Sequence, residues 1–127
     1  MPLPPQQTGS YQYVSSTSLG SSRTETVRPL LVEYFVDYTC PFSRKIFNTL
    51  LEVYEALDRA GSATPSTPTV WFQMHQVPQP WHPQSTMTHE AALAVRKLSG
   101  EEKYFEFSGR LFNDQVEFFD DNVWTKP

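Results

Sequence analysis

A chain of 127 residues, 39% hydrophobic and 14% aromatic, is long enough for one domain with one core. Its formal net charge of -4, with only 10 scattered Lys and Arg, offers no basic footprint for nucleic acid. No stretch approaches the roughly 20 apolar residues of a membrane span, the N-terminus has no basic stretch followed by an apolar core, and the single cysteine excludes an internal disulfide; a cytoplasmic location, without membrane or nucleic-acid partners, is the expectation.

Residues 1–28 are rich in Ser, Thr, Pro, Gln and Gly and nearly devoid of aliphatic side chains. Such a composition cannot bury enough surface to offset its ordering entropy, so a disordered, solvated tail is expected, with residues 29–127 forming the domain. From Leu30 the texture changes. "LLVEYFV", bounded by Pro29 and by Asp37 to Pro41, suits a buried strand. Beyond it Ile46, Leu50, Val53, Tyr54 and Leu57 recur at helical spacing, predicting an amphipathic helix that opens at Pro41 and closes before Gly61.

"GSATPSTP" is a turn-rich connector, and "TVWFQMHQV" from Thr69 predicts a second strand before the Pro-broken loop "PQPWHPQ". Met87, Ala91, Ala94, Val95 and Leu98 then mark a helix that stops at Gly100. Ser99 to Glu102 has capping-box spacing and opens a third helix through Tyr104, Phe105, Ser108, Leu111 and Phe112. A strand, a crossing helix and a second strand imply two parallel strands in an α/β arrangement, in which functional loops lie at the carboxyl ends of the strands.

Cys40 falls at such an end, directly before the helix. There the unpaired N–H groups and the macrodipole stabilise a thiolate, and Arg44 and Lys45 one turn later add positive charge. Asp37 works against ionisation, so a moderately acidic thiol is expected. The competing reading is a small buried residue that happens to carry sulfur.

With "VWFQMHQVPQPWHPQSTMTHEAALAVRKLSGEEKYFEFSGRLFNDQ" downstream, "VEYFVDYTCPFSRKIF" resembles the DsbA-like branch of the thioredoxin-like fold across roughly residues 30–119. The resemblance rests on the strand ending in an aromatic and Asp37, the Cys40-Pro41-Phe42 turn, the "HP" loop, and the Ala-rich helix leading to "YFEF" and "LF". It implies a β-α-β core plus a helical insertion, and thiol–disulfide chemistry with Cys40 as nucleophile. Ser43 stands where the family has its second cysteine, so the implied chemistry is monothiol exchange with protein or low-molecular-weight thiols and disulfides, Ser43 acting as hydrogen-bond partner of the thiolate.

No bound cofactor is implied, but the resemblance leaves room for glutathione, as in kappa-class transferases, or for a non-enzymatic interaction module. The family's C-terminal ββα unit with its cis-proline has no counterpart before Pro127, so the domain is expected to be incomplete; "TPTV" at 67–70 imitates that proline but comes too early.

Three further patterns bear on function. His75, His82 and His89 recur every seventh residue, but strand, loop and helix start would not bring them together, so no metal site is predicted; His82 is expected in a loop and His89 on a helix surface. "CPFS" echoes the turn of monothiol glutaredoxins without their flanking sequence. The aromatics Phe105, Phe107, Phe112, Phe118, Phe119 and Trp124 are expected in the core, with Phe118 and Phe119, beside Asp120 and Asp121, as a patch for a homodimer.

Overall fold

The computed structural model describes residues 11–14, 30–60 and 70–124. Its elements are β1 (Tyr11–Val14), β2 (Leu30–Val36), α1 (Pro41–Ala60), β3 (Val70–Gln76), α2 (Ser85–Asn113), a 3₁₀ turn (Gln115–Phe118) and α3 (Asp120–Val123). The strands form one sheet in the order β1-β3-β2, so β2, α1 and β3 make a β-α-β core. None of the described helices is long and apolar enough to cross a membrane.

β1 was not expected. It pairs antiparallel with β3, Tyr11 opposite Met74 and Val14 opposite Trp71. "YQYV" alternates an aromatic with a polar residue and ends on a β-branched one, a strand-forming pattern masked by the Ser, Thr and Pro around it. The rest of the expected tail, and the connector with its "TPTV" proline, lie outside the described residues.

β3 is the central strand and is buried at Phe72, Gln73 and Met74. β2 lies at the sheet edge and corrects the expectation of a buried strand: Leu30, Leu31 and Phe35 are exposed, and only its last residue, Val36, is buried. An apolar run reports strand propensity, not what covers each face. The same holds for α1, whose Ile46, Val53 and Leu57 are exposed, whereas Ser43 and Phe47 are buried.

The described residues fall into two units. One holds β1, β2 to Tyr34, α1 from Thr49, and β3 to His75. Within it the Tyr54 ring meets buried Phe72 edge-on at 6.5 Å, and Glu33 Oε1 pairs with His75 Nε2 at 3.0 Å.

The other unit holds residues 35–48 and the chain from Gln76 onward. Tyr38, Tyr104 and Phe112 are fully buried at its centre; the Phe112 ring lies 5.0 Å from Tyr38 and 4.8 Å from Phe47. Buried hydroxyls need partners. Here the Tyr38 hydroxyl bonds Ser108 Oγ at 2.8 Å and Tyr104 Oη at 3.2 Å, and Gln76 Nε2 donates to both tyrosines at 3.1 Å.

α2 breaks at Gly100 (φ 84°, ψ -177°), where two helices were expected to meet, and Arg96 Nε donates to Glu101 Oε1 across the break at 2.6 Å. Past the break the expected face is buried, at Tyr104, Ser108, Leu111 and Phe112. Before it the face differs. Ser85, Thr88, His89 and Ala92 point inward, and Met87 and Leu98 are 68% and 83% exposed, because the buried stripe is polar or small and the apolar spacing tracks the outer side. Of the aromatics expected in the core, Phe112 is buried, but Phe105, Phe107, Phe118 and Phe119 are only half-buried and Trp124 is exposed.

Candidate functional site

Asp37 to Cys40 turn the chain from β2 into α1. The Cys40 N–H donates to Asp37 O at 3.0 Å, and Cys40 O accepts the first helical hydrogen bond, from Arg44 N–H, at 3.2 Å. Cys40 is therefore the N-cap by its backbone, standing next to the first-turn N–H groups of α1, which lack intrahelical acceptors. The thiol is free and the residue is 8% exposed, in a turn built of buried polar neighbours, Asp37, Thr39 and Ser43. On the first turn of α1, Pro41, Phe42 and Lys45 are exposed and Arg44 is half-buried.

Asp37 organises this turn. Its Oδ1 accepts from Thr39 N–H at 2.9 Å and Thr39 Oγ1 at 2.8 Å; its Oδ2 accepts from Gln79 N–H at 2.8 Å and meets His82 Nδ1 at 3.0 Å. Burial alone would raise its pKa, but hydrogen bonds from Thr39, Gln79 and His82 outweigh that and hold it at about 2. Its carboxylate is thus spent on the turn and on the loop after β3. Ser43 Oγ accepts from the Asp37 N–H at 3.1 Å and is buried.

Gln115 was not anticipated. Fully buried in the 3₁₀ turn, it donates through Nε2 to Tyr38 O at 2.9 Å and to Cys40 O at 3.2 Å, bracketing Thr39. No local pattern marks it, because its partners lie some 75 positions upstream.

His82 sits in the expected loop, whereas His89 corrects the surface expectation: it is buried, its ring 4.7 Å from that of Tyr38. His89 Nε2 lies 3.8 Å from Asp37 Oδ1, beyond hydrogen-bond reach, and neither His89 ring nitrogen nor Ser85 Oγ has a hydrogen-bond partner. Burial pushes the His89 imidazole down in pKa, against the pull of Asp37. Two of the three evenly spaced histidines thus do meet, at a carboxylate. Among the described residues no group of three or more potential ligands is arranged to hold a metal ion.

Beside the N-cap lies a groove of about 260 Å³ lined by Thr39, Pro41, Trp81, His82, Pro83, Gln84, Phe118, Phe119 and Asp120. Thr39 and Pro41 are the neighbours of Cys40 in sequence, and Phe118 and Phe119 form part of the wall.

No family model and no curated protein matches the chain. A solved structure does: the crystal structure of a "putative protein-disulfide isomerase" from Pseudomonas syringae, with a TM-score of 0.59 and 26% identity, over 76% of this chain and 50% of that one. The chain thus spans half the length of the structure it matches, and its β-α-β core with following helices is a partial thioredoxin-like fold.

Proposed function

We propose that the chain is a thioredoxin-fold thiol–disulfide exchange protein working through the single thiol of Cys40. The observation that carries this reading is the placement of Cys40 as N-cap of α1, directly after β2, with a serine one turn on. The likeness to the Pseudomonas structure supports the same class.

The Cys40 thiolate attacks one sulfur of a disulfide; a new S–S bond forms to Cys40, the old one breaks, and the second sulfur leaves as a thiolate. Electrons balance within the exchange. With Ser43 in place of a second thiol, release of the mixed disulfide falls to an external thiol, from a protein or a small molecule such as glutathione.

Incubation with oxidised glutathione followed by mass spectrometry tests this. One glutathionyl group added at Cys40, reversed by free glutathione and absent in Cys40→Ser, is the expected result. A native protein that stays unmodified while its unfolded form reacts would overturn the reading.

A further inference from the structure

The exchange leaves a proton unassigned. At neutral pH an alkyl thiolate is a strong base and a poor leaving group, and a positioned acid that protonates it lowers the barrier. Thr39 and Pro41, the residues on either side of Cys40, line the groove together with His82, and this is the space the scheme assigns to the departing sulfur. Its titratable side chains are His82 and Asp120, and of the two chemistries only an imidazole ordinarily carries and returns a proton near neutrality.

His82 is held as a general acid needs to be. Asp37 is ionised and can only accept, so His82 Nδ1 carries the hydrogen shared with Oδ2 at 3.0 Å. That leaves Nε2 as the nitrogen that gains and loses a proton. Asp37 is 1% exposed and fixed by Thr39 and Gln79, whereas His82 keeps 24% of its side chain in contact with solvent and so can be reprotonated. The charged and titratable groups around it are Asp37 at the end of β2, His89 on α2 behind Asp37, and Asp120 across the groove. His89 is buried and is not among the residues lining this groove.

We propose, resting on the exchange reading above, that His82, oriented by Asp37, is the general acid that gives its Nε2 proton to the thiolate expelled from the disulfide under attack by Cys40. The imidazolium becomes neutral imidazole, the leaving sulfur departs as a thiol, and solvent restores the proton.

The test is leaving-group selectivity in the full chain. Two probes suffice: bis(2-hydroxyethyl) disulfide, which expels a basic alkyl thiolate, and dithiodipyridine, which expels a stabilised aromatic one that needs no acid. His82→Asn keeps an N–H donor near the Nδ1 position for Asp37 but has no nitrogen to transfer a proton; His82→Gln serves if the first variant melts early.

The expected result is a loss of about tenfold or more with the alkyl disulfide and little change with the aromatic one. Equal loss with both probes means a merely structural histidine and overturns the proposal, as does no loss with either. Failure of the parent protein to react with both probes would sink the exchange reading itself, and this inference with it.

Discussion

Ser43 Oγ lies 3.1 Å from the Asp37 N–H and ties the first turn of α1 to the end of β2. Both residues are buried, so Ser43→Ala leaves a buried N–H without its acceptor and is expected to cost about 1–3 kcal/mol in chemical denaturation. Ser43→Cys instead places a second thiol three residues from Cys40. Under mild oxidation that variant is expected to lose both titratable thiols within the monomer, whereas the parent keeps its one.

Acid stability should carry the mark of Asp37. Its folded pKa of about 2 lies below its ordinary 3.8, so its stabilisation is complete above the higher value and is lost as pH falls through the lower one. The amount is roughly 2 kcal/mol. His89 acts earlier: its pKa is lowered from 6.5, so the unfolded chain takes up a proton below that value before the folded one does, and stability falls there too. Urea midpoints from pH 8 to 2 are expected to drop in two stages, with Asp37→Asn removing the more acid stage and His89→Gln the other.

Local features were legible in the sequence and distant partnerships were not. The start of α1 at Pro41, the break at Gly100 and the inward face around Tyr104 each follow from residues within a turn or two of one another. β1 escaped notice because four strand-forming residues sit inside a composition that averages to disorder. The inward face of Ser85, Thr88, His89 and Ala92 escaped because it is built of polar or small residues, which apolar periodicity does not mark; of these, His89 packs its ring against Tyr38. At the site itself the thiol and its helix were readable; the groove and the Asp37–His82 pair join segments 45 positions apart, which spacing alone does not reveal.

Gly100 holds a conformation, φ 84° with ψ -177°, that is essentially reserved for glycine. Nothing lies within 4 Å of where a Cβ would stand, so Gly100→Ala meets no clash and its cost is backbone strain alone. A loss of about 1–3 kcal/mol is expected, read as a lowered melting temperature. An unchanged melt would mean that the two halves of α2 join without this backbone angle.

Gln115 supplies the last prediction, because one side chain both stabilises the fold and presents the thiol. Its amide donates to Tyr38 O and Cys40 O, and Cys40 O also accepts from Arg44 N–H. Gln115→Leu removes both donors at similar volume and is expected to cost about 1–3 kcal/mol, while iodoacetamide reaches Cys40 faster because the turn that buries it loosens. Gln115→Glu adds a pH signature. At pH 7 a carboxylate faces two carbonyl oxygens and is worse than leucine, but below the ordinary Glu pKa of about 4.3 the protonated acid again offers a donor. The Glu variant's deficit relative to the parent in urea midpoint should therefore shrink on acidification, and the Leu variant's should not. Parallel behaviour of the two would show that size at position 115, rather than donation to the Cys40 turn, is what matters.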